Sequence, residues 1–367
     1  MMSHVKITAI RIGEISVPLR TPFKTAVRTA YSVEDVIVEV HTDSGIIGFG
    51  EAPPTGLITG DTKGAIIGAL REHIIPSIVG MDLDSIEEVL VKLNGCVLHN
   101  TSAKAAVDMA VYDAWGQMLA APLYKLLGGY RREVLTDITI SVNSPDEMVR
   151  DAVTAVSRGF DVLKIKVGKQ TNLDVLRLTS IREAVGQDVL LRVDANQGWT
   201  AKEAVRILTQ IENAGLDIEL VEQPVPAYDI DGLKYVTDHV SIPVMADEAV
   251  FSPSDALTIL NRRAADIINI KLMKTGGLYN AMKICDIAEI NGVECMIGSM
   301  LEAKVSVNAA VHLAAARSVI TKADLDGPAL CSEDPVEGGS VFTENVITVC
   351  EDPGLGVRKV NGVTYLD

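Results

Sequence analysis

From about residue 134 the chain repeats one unit: an aliphatic strand, a turn holding polar or charged residues, then an amphipathic helix. The last residue of each strand-like run is Val142, Lys166, Asp194, Glu222, Asp247, Lys271, Gly298 or Asp324, at intervals of 24 to 28 residues. One strand, one helix and two loops need about that length, and eight such units favour a closed barrel over an open sheet. A doubly wound sheet is the alternative, but no Gly-rich phosphate turn follows the first strand. Gly48 and Gly50, between a strand and the Pro53-Pro54 turn, read as a loop feature. Helix signals punctuate the repeat. Ser144, Pro145 and Glu147 supply a cap, an N1 proline and a capping box, and Gly159 ends that helix. Thr200 and Glu203 repeat the box, with Gly215 as the stop.

Residues 1–125 are patterned differently. Strand-like runs at Ile7 to Val17 and Val36 to Val40 are followed by helical patterns at Lys63 to Ile78 and Ser102 to Leu119. This predicts an α+β domain (1–125) in front of a barrel (126–326). The final segment, 327–367, with a strand within Val341 to Val349, is expected to return to the first domain. A total of 367 residues suits a barrel of roughly 250 residues with a smaller unit attached. Hydrophobic residues make up 48% of the chain but aromatics only 4%, so the core is built from Val, Ile, Leu and Ala, as buried parallel strands require.

A net charge of −16 argues against nucleic acid or anionic membrane as a partner. The five cysteines (Cys96, Cys285, Cys295, Cys331, Cys350) form no CxxC pair and read as free thiols in a reducing cytosol. No apolar run reaches the roughly 18 residues of a membrane span, and the first twenty residues lack a signal-peptide core. A soluble, cytoplasmic protein is expected.

Six of the eight strand ends carry charge, at the end of a barrel where active sites are built. Asp194, Glu222 and Asp247 end three consecutive strands, and neighbouring strands lie under about 5 Å apart. Three carboxylates so close repel one another unless a cation sits among them. An all-oxygen set fits Mg²⁺ or Mn²⁺ better than zinc. Lys164 and Lys166 share one face of a strand by its period of two, so both point into the barrel. Lys271 ends a strand on the other side of the carboxylates. Crowding by cations is expected to lower a lysine's pKa toward that of a base near neutral pH. Two lysines facing each other across a substrate carboxylate are what inversion at carbon needs, one to remove a proton and one to return it. The histidines avoid the strand ends, which disfavours a His-Asp base. Glu248, next to Asp247, is expected to orient a lysine without a catalytic role.

The series Lys164-x-Lys166, Asp194-Ala-Asn196, Glu222-Gln-Pro, Asp247-Glu248 and Lys271-Leu-Met-Lys-Thr-Gly-Gly resembles the enolase superfamily, muconate-lactonizing subgroup, over nearly the whole chain. The resemblance implies a (β/α)7β TIM-type barrel with an N-terminal α+β capping domain. It implies Lys166 and Lys271 as the acid/base pair, Lys164 as an auxiliary cation, Asp194, Glu222 and Asp247 as Mg²⁺ ligands, and a homo-oligomer. Within the subgroup the chain is most similar to the dipeptide epimerases, whose Asp-x-Asp pattern matches Asp324-Leu-Asp326 and suits a substrate ammonium group. Pro22 to Arg28 and Thr55 to Asp61 resemble substrate-covering loops of Ala-Glu epimerases, with Arg28 placed to meet a side-chain carboxylate. Thr139 and Ser299 match positions that line the substrate. The implied reaction is epimerization of L-Ala-L-Glu at its C-terminal residue. Cycloisomerization or o-succinylbenzoate synthesis on the same scaffold is the alternative, and its substrates carry no ammonium group. A non-catalytic binding barrel is a remoter one.

Overall fold

The computed structural model describes residues 4–24, 29–168 and 170–366. The N-terminal domain is an antiparallel meander of strands Ile7–Lys24, Thr29–Thr42 and Ile47–Ala52. The helix Thr101–Met118 lies directly on its last strand. A Cβ on Gly48 would stand 2.0 Å from Ala110 O, and one on Gly50 would stand 1.8 Å from Ala106 O. The two glycines therefore belong to a strand rather than a loop. They are small because a helix backbone occupies the space above them.

Eight parallel strands follow: Ile138–Ile140, Val162–Lys166, Leu190–Asp194, Ile218–Glu222, Val244–Ala246, Ile267–Lys271, Glu294–Gly298 and Ile320–Asp324. They pair in chain order, with a helix in each connection. The first strand stops at Ile140, short of Val142, and the fifth stops at Ala246, just before Asp247. The seam between the first and eighth strands is joined at their flanks. Asp137 N–H donates to Ala323 O at 3.2 Å, and Leu325 N–H donates to Thr136 Oγ1 at 2.8 Å. Both capping boxes form, at Ser144/Glu147 and Thr200/Glu203.

Register sets the inward rows. Lys166 pairs with Asp194, Asp194 with Glu222, Lys271 with Gly298, and Gly298 with Asp324. One pleat lower, Lys164 pairs with Arg192. Leu220, which pairs with Arg192, packs with Met245, Ile267 and Met296 as a separate apolar cluster. The charged residues thus share the barrel with packed apolar side chains, as interior layers of such barrels do.

The C-terminal segment returns to the N-terminal sheet by a different strand than the one expected. Val341–Thr343 pairs with Val346–Thr348, which pairs in turn with Glu133–Leu135, apart from the N-terminal sheet. Thr364–Leu366 joins that sheet instead, on the strand Ile7–Lys24. Strands this short carry too little pattern to specify a distant partner. The cysteines are free. Among the described residues, no helix is long and apolar enough to cross a membrane.

Candidate active site

At the C-terminal mouth of the barrel the side chains of Lys164, Asp194, Glu222, Asp247 and Lys271 are almost entirely buried. Lys164 Nζ lies 2.6 Å from Glu222 Oε2, 2.6 Å from Asp324 Oδ2 and 3.2 Å from Asp194 Oδ2. Lys166 Nζ donates to Asp194 Oδ2 at 2.6 Å. Across the barrel Lys271 Nζ donates to Asp247 Oδ2 at 2.7 Å and stands 3.7 Å from Glu222 Oε1. The second and sixth strands are four apart in a ring of eight, so Lys166 and Lys271 face each other across the mouth.

Burial by itself would lower the pKa of Lys164. The charges of Asp324, Glu222 and Asp194 outweigh it and hold the ammonium well above its ordinary range. Lys271 is raised likewise, by Asp247 and Glu222 against its burial. The expected depression of these lysines is therefore not found where they are themselves the counter-ions of the carboxylates. Among the acids, burial and then the Asp194 charge push Glu222 up to about 7. Burial and then Asp324 push Asp326 up to about 6. Asp324 and Asp247 are lowered despite burial, chiefly by Lys164 and Lys271 respectively.

One pocket gathers most of the sequence-derived residues: Lys166, Lys271, Asp324, Asp326, Thr139 and Ser299 line it. Lys164, 1% exposed, lies beneath the pocket lining. Asp326 falls two residues past the end of its strand, in a helical turn, and reaches the pocket through that turn rather than through strand alternation. Its Oδ2 accepts Thr139 N–H at 2.7 Å, so the residue also closes the barrel seam. Arg28 lies outside the described residues. Phe23 and Ile58, from the two N-terminal segments read as covering loops, do reach the pocket.

The sequence reading missed several supporting groups. Asn269 Nδ2 donates to Glu222 Oε1 at 2.8 Å. It lies two residues before Lys271 on the same strand face, so period two could have found it. Lys274, fully buried, stands 2.6 Å from Asp247 Oδ1 and also donates to the Asp247 carbonyl. Among the described residues, Glu248 forms no ion pair with a lysine. Its Oε1 accepts from Asn196 Nδ2 at 3.4 Å, and burial with the Asp247 charge pushes it up to about 8.

The three strand-end carboxylates form an all-oxygen donor set without His or Cys, which suits a hard cation. Among the described residues, nothing donates a hydrogen bond to Asn196 Oδ1 or Glu248 Oε2, both buried. The carboxylates do not converge fully, because Lys164 and Lys271 sit between them. Among the described residues, the one trio of acidic, His or Cys groups with ligand atoms within 4.8 Å is His4, Asp82 and Asp84, on the surface and remote from this pocket.

Fold and site together define a barrel protein of the class that collects lysines and carboxylates at its strand ends beneath an N-terminal domain. Residues 7–128 match the N-terminal domain of the mandelate racemase / muconate lactonizing enzyme family, and residues 147–360 match the enolase C-terminal domain-like family. The chain belongs to the mandelate racemase / muconate lactonizing enzyme family of the enolase superfamily. It is 60% identical to the L-Ala-D/L-Glu epimerase of Clostridium acetobutylicum, over 96% of this chain and 98% of that one. A substrate-liganded L-Ala-D/L-Glu epimerase from Bacillus subtilis superposes with a TM-score of 0.96 at 49% identity, covering 97% of this chain and 99% of its own. A dipeptide epimerase from Enterococcus faecalis, complexed with Mg and the dipeptide L-Leu-L-Tyr, gives 0.93 at 42% identity, covering 96% and 100%.

Proposed function

We propose that this protein is a Mg²⁺-dependent dipeptide epimerase that interconverts L-Ala-L-Glu and L-Ala-D-Glu. The observation that carries the reading is the shared pocket: Lys166 and Lys271 open onto it from opposite sides, and Asp324 and Asp326 line it as well. The similarity to the Clostridium and Bacillus epimerases supports the choice of dipeptide. The acidic balance and unpaired thiols accord with a cytoplasmic enzyme.

Asp194, Glu222 and Asp247 would hold Mg²⁺, which supplies positive charge beside the substrate carboxylate and so makes the adjacent α-proton more acidic. Lys166 and Lys271 then divide the proton traffic. One, as the free amine, removes the α-proton from its face, and the other, as the ammonium, delivers a proton to the opposite face. The roles exchange for the reverse reaction. Lys164, held charged among carboxylates, stabilises negative charge developing on the substrate carboxylate. Asp324 and Asp326 bind the substrate ammonium, and Thr139 and Ser299 close the pocket wall around it. Arg28 is assigned to the glutamate side-chain carboxylate. For this chain 1–125 serves as the cap, together with 327–367, and 126–326 as the barrel.

The test is incubation of L-Ala-L-Glu with enzyme and Mg²⁺ in D₂O. Deuterium enters the Glu α-carbon as the L,D epimer accumulates. Its absence from this and every other dipeptide offered refutes the reading.

A further inference from the structure

The seventh barrel strand leads into Ser299, Met300 and Leu301, which line the substrate pocket, and then into the helix Lys304–Ala316. That helix has no side-chain cap of its own, and its N-cap residue is Ala303. Its free N–H groups are instead met by the N-terminal domain. Glu51 Oε1 accepts Ala303 N–H at 2.7 Å, and Glu51 Oε2 accepts Ser306 N–H at 2.9 Å and Ser306 Oγ–H at 3.3 Å. Asp35 Oδ2 accepts the same Ala303 N–H at 3.1 Å. Glu51 and Asp35 come from neighbouring strands and are 0% and 1% exposed.

Two buried carboxyl groups on one N–H repel unless one holds a proton. Asp35 is that one: burial, then a hydrogen bond and the charge of Glu51, raise it well above the carboxylate range. Glu51 is left as the acceptor for both helix amides. The loop is pinned again from within, since Glu302 Oε1 accepts Met300 N–H at 2.6 Å. Gly327, next to Asp326, packs so tightly on this segment that a Cβ there would lie 2.6 Å from Glu302 O.

We propose that Glu51, backed by Asp35, is a positioning residue: a clamp from the N-terminal domain that sets the pocket wall Ser299–Leu301 against the bound dipeptide. This rests on the epimerase reading for its substrate, though not for its geometry. Ser299, Met300 and Leu301 supply no group to the proton transfers proposed above, so loosening them weakens ground state and transition state alike and raises KM more than it lowers kcat.

The experiment compares Glu51→Gln, Asp35→Asn and Asp35→Leu with wild type. Gln turns one acceptor oxygen into a donor facing N–H groups, whereas Asn at position 35 keeps a neutral donor for Glu51. In Glu51→Gln and Asp35→Leu, KM for L-Ala-L-Glu rises about tenfold with kcat within about threefold, and Asp35→Asn restores near-wild-type values. Amide hydrogen exchange of residues 299–306 quickens in the same two variants, while that of strands 190–194 and 218–222 does not. A fall in kcat at unchanged KM, equal loss in Asp35→Asn and Asp35→Leu, or unaltered exchange at 299–306 overturns the clamp. Wild type that epimerizes no dipeptide sinks the functional reading, and the exchange measurement still decides the clamp.

Discussion

Replacing Lys164 by Met removes the cation that three buried carboxylates share, at 2.6, 2.6 and 3.2 Å. Met keeps the volume and drops the charge, so Glu222, Asp324 and Asp194 lose a counter-ion where burial leaves little solvent screening. Breaking a buried pair from one side costs about 3–5 kcal/mol. Part is recovered because Glu222, already raised to about 7, takes up a proton. The assay is urea unfolding in EDTA and again with Mg²⁺ at about a hundred times the wild-type Kd, which adds about 2.7 kcal/mol to wild type and more to a variant whose carboxylates bind the ion more tightly. In EDTA the variant is less stable than wild type by at least about 2 kcal/mol, the lower side of the buried-pair range after the Glu222 offset. With Mg²⁺ the gap narrows, since the ion supplies the charge that the ammonium no longer does. A variant as stable as wild type in EDTA, or a gap that Mg²⁺ leaves unchanged, refutes the reasoning.

Gly298→Ala places a Cβ 3.0 Å from Lys271 Cε and 2.9 Å from Asn269 Oδ1, so it pushes the lysine off line. Epimerization should fall about a hundredfold, the usual cost of a misplaced reacting group, with Tm nearly unchanged, read by steady-state kinetics and calorimetry. Asp108 accepts Leu278 N–H at 2.6 Å and Tyr279 N–H at 3.3 Å, so a side chain of the N-terminal domain caps a barrel helix. Asp108→Ala strands both donors and should cost about 2–4 kcal/mol in urea unfolding, whereas Asp108→Asn costs far less. Burial raises this carboxyl from 3.8 to about 8. Between those values the folded state holds a proton that the unfolded chain has released, so this carboxyl's contribution to stability falls as pH rises from about 4 toward 8. Asp108→Asn should flatten that part of the urea-midpoint profile.

The features legible in the sequence are those with local causes. The capping boxes at Ser144 and Thr200 need only neighbours along the chain, and both form. Strand alternation brought Lys166, Asp194, Glu222 and Lys271 to one rim because the pleat fixes which side chains turn inward. What failed depended on partners far away in sequence. Gly48 and Gly50 gave no hint of the helix pressed against them, and the hairpin of Val341–Thr343 and Val346–Thr348 gave none of its pairing with Glu133–Leu135. Glu51, beside the glycines read as a loop, reaches a helix more than 250 residues on, which no local pattern announces. The lysine charge states were misjudged for another reason. They depend on which cation neutralises the carboxylates, and a residue list does not say whether that cation is a metal ion or the lysines themselves.

The division of labour between the two lysines is the central claim, and single-epimer exchange tests it most directly. Lys166→Ala and Lys271→Ala are each incubated with L-Ala-L-Glu and, separately, with L-Ala-D-Glu in D₂O with Mg²⁺, and the Glu α-proton is followed by NMR. Both variants are predicted to lose epimerization, while each still exchanges the α-proton of one epimer, a different one for each. Exchange of the same epimer by both variants, or epimerization surviving in either, contradicts the account.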